Sequence, residues 1–128
     1  MASLAMRSTA LSAYRAIHQA AEGREAKIEL LEMLLDGLAA SLAGIRNAEL
    51  SGDLGARQSH IVRASRILVG LEKALDPRFN KELTEKLGAL YKYFLRRLNR
   101  ISGQDASSTV DELLGYTNTL RSAFLPKN

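Results

Sequence analysis

Apolar residues recur every three or four positions along most of the chain, which is the spacing of amphipathic helices. Four segments show the pattern, running from about Arg24 to Leu50, Leu54 to Leu75, Lys81 to Ile101 and Ala106 to Phe124. No segment alternates apolar and polar residues as a half-buried strand would. The pattern therefore predicts an all-α fold with four long helices.

Each predicted helix carries one main apolar stripe, and we expect these stripes to form the core. The first two stripes are Ile28, Leu31, Leu35, Leu38, Leu42 and Ile45, then Leu54, Ile61, Ala64, Leu68, Leu71 and Leu75. The other two are Leu83, Leu87, Leu90, Phe94, Leu98 and Ile101, then Val110, Leu113, Leu114, Thr117, Leu120 and Phe124. Because aromatic residues make up only 5% of the chain, the predicted core is mainly aliphatic.

Short turn sequences separate the four segments, at Ser51–Asp53, Asp76–Asn80 and Ser102–Asp105. Asn80 and Asp105 are expected to cap the third and fourth helices, because their side-chain oxygens can accept from the first free backbone N–H groups. Short links between long helices require antiparallel neighbours. The predicted architecture is thus an antiparallel up-down four-helix bundle.

The bundle is preceded by a short segment with its own apolar side. Leu11, Tyr14, Ile17 and Ala21 fall at helical spacing, and Gly23 marks a break after them. We assign residues 1–22 to an N-terminal arm or short helix and residues 23–128 to the bundle, within a single domain. The segment either lies against the bundle or forms a separate arm.

The first long helix has a second line of small or apolar residues away from its main stripe. Met33, Gly37, Ala40 and Gly44 follow at intervals of four, three and four. A glycine inside a helix costs about 1 kcal/mol relative to alanine, so two on one side require an explanation. Close approach by a partner peptide would explain them, and so would packing on the N-terminal segment or a neighbouring helix.

Two other helices are also wider in apolar surface than a bundle needs. On the second helix, Val62 and Val69 lie about two turns apart and off the main stripe. On the third helix, Tyr91 and Leu95 widen the apolar arc, and we expect Tyr91 to be mostly buried. Tyr93 points about 200° away from Tyr91 and should be more exposed, between Lys86 and Arg100. Several widened helices in one small domain indicate a groove for an apolar partner.

Catalytic and cofactor chemistry is not predicted. The chain has no Cys, and neither His18 nor His60 has a second ligand at metal-binding spacing. No glycine-rich phosphate loop or nucleophile motif occurs. We therefore expect no enzyme activity, no cofactor and no metal. With no signal-peptide pattern at the N-terminus and no long apolar run, a cytoplasmic location is expected.

The net charge of +4 is modest, and its tightest cluster is Arg96, Arg97 and Arg100. This cluster is better explained as a solvated helix face than as a phosphate-binding stripe. We therefore expect no nucleic-acid partner. A weak nucleic-acid-binding bundle stays the less favoured alternative, using Arg63 and Arg66 of the second helix with Arg96 and Arg100.

Several stretches resemble motifs of one protein family. Leu30–Gly37 (LLEMLLDG) resembles its pattern LIxMLYDG, although Leu35 stands where the family has an aromatic residue. Leu87–Leu98 (LGALYKYFLRRL) resembles its pattern LxxLYxYMxxxL, and Ala64–Leu68 is similar to the AxxII of its second helix. Tyr14 stands where the family carries an N-terminal tyrosine. By these motifs the chain resembles the FliS family of flagellin export chaperones.

The resemblance implies a cytoplasmic chaperone that binds the disordered C-terminal segment of flagellin and prevents its premature polymerisation. It also implies delivery to the export apparatus, whose gate includes a membrane protein as a further partner. Homodimerisation stays open, as does the alternative of a helical adaptor for another protein. The residues expected to bind the client are Tyr14, Ile17, Met33, Gly37, Ala40, Gly44, Val62, Val69, Tyr91 and Leu95. The segment around Tyr14 either covers part of this groove and yields to the client or is a fixed fifth helix.

Overall fold

The computed structural model describes residues 24–78 and 80–123, with side chains from Ile28 onward. These residues form α1 (Arg24–Ser51), α2 (Leu54–Lys73), α3 (Lys81–Asn99) and α4 (Ala106–Ser122). No strand occurs in the two described ranges, so the all-α prediction is confirmed. The predicted N-terminal segment, including Tyr14 and Ile17, and the end of the fourth stripe at Phe124 lie outside the described residues.

The four helices pack as a ring in which each contacts its neighbours in sequence and α1 also contacts α4. Within the described part of the chain the diagonal pairs do not approach one another, as expected for an up-down bundle. The backbones of α1 and α2 approach most extensively, while those of α3 and α4 approach least. The predicted four-helix bundle is therefore confirmed. Its α1–α2 and α3–α4 seams differ in how closely the two backbones approach.

The core lies along the bundle axis and is mainly aliphatic, with Tyr91 and Phe94 as its largest members. Most of the predicted stripe positions are buried or partly buried in it. Leu54 is the clear exception, because it is 65% exposed. It is the first residue of α2, where the helix begins beyond the end of the core. The prediction of a core role for Leu54 is therefore wrong.

The turns explain where the helices end. α1 stops at Gly52, whose φ of 72° is left-handed, and the N–H of Asp53 donates to the carbonyl of Ala48 at 2.9 Å. Asp53 in turn accepts from the N–H of Ala56 at 2.9 Å and so caps α2. The left-handed position strongly favours glycine, so Gly52 stabilises the turn.

Asn80 caps α3 as predicted, accepting from the N–H of Leu83 at 3.0 Å. Asp105 makes no side-chain cap on α4, so that prediction is wrong. Its carboxylate accepts from the backbone N–H and the hydroxyl of Ser102, at 3.0 and 3.1 Å. These hydrogen bonds, the backbone one first, lower the pKa of Asp105 and hold the α3–α4 turn closed.

Candidate partner-binding surface

Among the described residues, the exposed large apolar side chains fall in three places. Leu30 and Met33 lie on α1, Val62 and Val69 lie on α2, and Leu50 and Leu54 flank the α1–α2 turn. Met33 is 69% exposed, while Val62 and Val69 are 38% and 42% exposed. Because the core is complete without these side chains, they are available to a partner.

The two glycines of the second α1 line are used inside the bundle. A Cβ at Gly37 would lie 3.1 Å from Cδ1 of Ile67, and one at Gly44 would lie 2.5 Å from the ring of His60. Both contacts come from α2, so the glycines allow close packing of α1 on its neighbour. Of the two explanations left open by the sequence, packing on a neighbouring helix accounts for them.

Met33 and Ala40, the other two members of that line, are exposed. They therefore form the accessible edge of α1, and Leu30 extends this edge by one turn. Leu30 was not among the expected client-binding residues, although it begins the LLEMLLDG motif. The spacing of apolar residues did not predict this exposure, because Leu30 directly precedes Leu31, which is buried in the core.

Val62 and Val69 lie on the opposite flank of α2 from α1. Ile67 contacts Gly37 of α1, and Val69 points about 200° from Ile67 around the helix. Val62 is seven residues before Val69 and so shares its side. The structure therefore does not join Met33 and Val69 in one groove; the two apolar surfaces lie on either side of α2.

Tyr91 and Leu95 of the expected set lie on α3. Tyr91 is 0% exposed, which confirms the prediction that it is buried, so its ring does not reach the surface in this structure. Leu95 is half-buried and packs at the edge of the core. Only Leu95 of this pair borders an accessible surface.

Tyr93 is half-buried, so it is more exposed than Tyr91 as expected, and it reaches across to α4. Its hydroxyl donates to Oε2 of Glu112 at 2.5 Å. Arg97 donates to Oε1 of the same carboxylate at 3.3 Å and to the hydroxyl of Thr109 at 3.0 Å. We call these four residues the α3–α4 polar cluster. The hydrogen bond to Glu112, with some burial, raises the pKa of Tyr93 above its usual range.

This cluster was not found from the sequence. The spacing of Tyr93 and Arg97 indicates that both lie on one side of α3, but no local signal identifies Glu112 and Thr109 as their partners. A ring contact between Phe94 and Tyr116, with centroids 6.1 Å apart, joins the same two helices. Long side chains thus close the seam where the backbones are farthest apart.

Among the described residues, no three His, Asp or Glu side chains group to hold an ion. No helix in this part of the chain is long and apolar enough to cross a membrane. His60 lies half-buried against Gly44, as a boundary histidine, and His18 falls outside the described residues.

Comparison with protein-family models identifies a family that covers most of the chain. Residues 10–125 match the family model described as flagellar protein FliS. No match was found among curated proteins. The matched range includes all four helices and extends before α1 to include Tyr14 and Ile17.

Proposed function

Because this chain belongs to the FliS family of flagellar chaperones, we propose that it binds the disordered C-terminal segment of flagellin in the cytoplasm. Binding keeps flagellin from polymerising before export and aids its delivery to the flagellar type III export apparatus. The observation that supports this proposal best is the exposed apolar surface on both sides of α2, around a core that is already complete.

The two surfaces suit a long extended client better than a compact one. Met33 and Ala40 lie on one side of α2, and Val62, Val69 and Leu95 lie on the other. A disordered segment loses conformational entropy when it binds, and it offsets this loss by covering a large area. Burial of apolar surface contributes about 25 cal/mol per Å². We therefore propose that the client wraps around the bundle and contacts both surfaces.

The N-terminal segment is proposed to occupy part of the client surface through Tyr14 and Ile17 and to yield when the client binds. A helix of about three turns is only marginally stable alone, so its release costs little. Deleting residues 1–20 should leave the bundle folded, with client binding at least as tight and with more self-association. A truncated chain that melts or loses client binding would contradict this role.

Two further partners belong to the proposal. The chaperone would present its client to the membrane protein of the export gate, and exposed Leu50 and Leu54 are apolar surface that the bundle itself does not use. Homodimerisation through the exposed surfaces is expected to compete with client binding. Sedimentation of the chain with and without flagellin would detect this competition as loss of dimer on addition of client.

Calorimetry with the C-terminal segment of flagellin from the same genome tests the main proposal. We expect a one-to-one complex at micromolar concentrations, and circular dichroism should show a gain of helix beyond the sum of the components. Replacing Met33 and Val69 with Ser should weaken binding at least about tenfold. The matched control replaces Leu50 and Leu54 with Ser, which removes exposed apolar surface at the turn instead.

Absence of heat or saturation with flagellin would contradict the chaperone role and favour a helical adaptor for another protein. Equal weakening in both double variants would contradict the location of the client surface. Melting temperatures should be close to that of the unchanged chain in both cases, because all four side chains are exposed.

A further inference from the structure

The outer side of α2 and α3 combines apolar and basic residues in a regular order. On α2, Val62, Arg66 and Val69 follow at intervals of four and three, so they form one line along the helix. α3 adds Lys92, Leu95 and Arg96. We call these six residues the α2/α3 face. All of them are exposed except Leu95, which is half-buried.

The two lines lie side by side. Ile67 faces α1, so Val69, about 200° away, lies on the flank of α2 remote from α1. Tyr93 reaches α4 through Glu112, so Leu95, again about 200° away, lies on the flank of α3 remote from α4. Because α2 and α3 are packed neighbours, these two flanks border the same surface.

The stretches of α2 and α3 that carry this face are rich in basic residues. Residues 54–71 contain three basic residues and residues 86–101 contain five, and neither range contains Asp or Glu. Glu85, which pairs with Lys81, lies two turns before Lys92 on the same side of α3. Arg57, Lys86 and Arg97 pair with Glu49, Glu82 and Glu112. Within the described ranges Arg66, Lys92 and Arg96 make no ion pair. Their charges therefore remain available to an anionic partner.

We propose that the α2/α3 face binds an acidic amphipathic helix, whose apolar residues lie on Val62, Val69 and Leu95 while its Asp and Glu residues meet Arg66, Lys92 and Arg96. This inference rests on the proposed function, because it takes the flagellin segment as the client that supplies the helix. It adds that the segment bound on this side of the bundle is an amphipathic helix with acidic flanks.

The order of residues favours a polypeptide over a nucleic acid. Seven residues separate Val62 from Val69, which is about 10.5 Å along a helix and equals the i to i+7 spacing of apolar residues on a partner helix. The phosphate backbone of a nucleic acid is bound by cationic and polar groups. It would not contact the exposed side chains of Val62 and Val69 favourably. Oppositely charged flanks would also fix the register of a bound helix and speed its association.

Charge reversal tests the inference. The variant Arg66→Glu/Arg96→Glu should bind the flagellin segment about tenfold more weakly, because two favourable charge contacts become repulsive. The control Arg46→Glu/Arg121→Glu has the same net charge, and its changes lie on α1 and α4, where these residues pair with Asp111 and Asp36 away from the face. It should bind within about twofold of the unchanged chain. Calorimetry at about 0.1 M salt keeps these effects measurable.

The outcomes separate this inference from the proposed function. If the unchanged chain binds flagellin and both reversals bind alike, the chaperone role stands and the α2/α3 face is not the site. If the unchanged chain does not bind flagellin, two designed peptides test the face itself. Both have Leu at i, i+3, i+4 and i+7, and one is flanked by Glu while the other is flanked by Lys.

The unchanged chain should prefer the Glu-flanked peptide by at least about tenfold, and Arg66→Glu/Arg96→Glu should lose this preference. That result would support the α2/α3 face as a binding site independently of flagellin. Equal binding of the two peptides, or binding of neither, would overturn the inference. A duplex DNA or RNA probe that binds the face with steep salt dependence, while the Glu-flanked peptide does not bind, would overturn it in favour of a nucleic-acid partner.

Discussion

The α1–α2 seam and the α3–α4 seam close the same bundle by opposite means. At the first, Gly37 and Gly44 allow α2 to pack directly on the α1 backbone, with Ile67 and His60 filling the space that side chains would take. At the second, the backbones are farther apart, and the α3–α4 polar cluster spans the gap with Tyr93, Arg97, Thr109 and Glu112. Close packing resists change in side-chain volume, while a polar bridge depends on each of its hydrogen bonds.

The difference bears on where a client can enter. The α1–α2 seam leaves no room for a peptide between the two helices. The proposed client must therefore lie on the outer surfaces of these helices. The polar seam is held by side chains that are about one-third exposed, namely Arg97 at 34% and Glu112 at 31%. Such hydrogen bonds open more readily than a buried apolar core. We therefore expect α3 and α4 to separate before α1 and α2 do.

Tyr91→Ala is expected to have the largest effect on the free energy of unfolding, and the effects of changes at the two seams can be compared with it. Tyr91 is fully buried, so the substitution should lower the free energy of unfolding by about 2–4 kcal/mol. Tyr93→Ala, which removes the ring that faces the polar seam, should cost less. Urea denaturation measures both values, and a nearly unchanged stability for Tyr91→Ala would contradict its place in the core.

Glu112→Ala is expected to have the next largest effect, because it removes the acceptor shared by Tyr93 and Arg97. The loss should be about 1–2 kcal/mol, and hydrogen exchange in α4 should become faster than in α2. The control is the neighbouring Asp111→Ala, which removes an exposed ion pair with Arg46 on α1. That pair should contribute at most about 0.5 kcal/mol. Equal losses in the two variants would mean that the polar cluster does not hold the seam.

The pH dependence of stability isolates Tyr93 within the cluster. Its folded-state pKa is raised, chiefly by the hydrogen bond to Glu112, so the folded protein holds this proton more tightly than the unfolded chain. The resulting stabilisation is complete below about pH 10 and is lost as the pH rises through the raised pKa. Chemical denaturation across this window should show a shallower decline in Tyr93→Phe than in the unchanged chain. Parallel declines would contradict the link to Tyr93.

The smallest effect concerns Gly44 and requires a double-mutant cycle. Gly44→Ala gains about 1 kcal/mol in helix propensity, but its Cβ would meet the His60 ring at 2.5 Å and displace it. We expect little net change in the unchanged background. When His60 is also Ala, the same substitution should stabilise by up to about 1 kcal/mol. An identical effect in both backgrounds would show that the ring does not require the glycine.

The sequence was sufficient to predict the helices because each apolar stripe fixes one side of one helix. The stripe that includes Leu31, Leu35 and Leu38 is buried as predicted, and the bounds differ by at most two residues from those expected. Leu54 shows the limit of this reasoning at a helix end, where the period continues but the core does not. Asp105 shows another limit, because Ser102 competes for its carboxylate.

The candidate surface was less predictable because helical period does not say which helix lies alongside. Gly37 and Gly44 were correctly identified as a place of close approach, yet the approaching element is α2. Tyr93 was placed on the correct side of α3, but its partner Glu112 is nineteen residues away on another helix. Met33 and Val69 lie off the main stripes, which placed them outside the core, but their exposure also requires that no neighbouring helix covers them, and this follows only from the assembled bundle.

The apolar surface outside the complete core is proposed to hold flagellin and keep it from polymerising. Seeded polymerisation of flagellin, followed by light scattering, tests it most directly. An equimolar amount of the full chain should suppress growth, the Met33→Ser/Val69→Ser variant should suppress it much less, and the Leu50→Ser/Leu54→Ser control should act like the unchanged chain. Polymerisation at the same rate with and without the unchanged chain would contradict the proposed chaperone role.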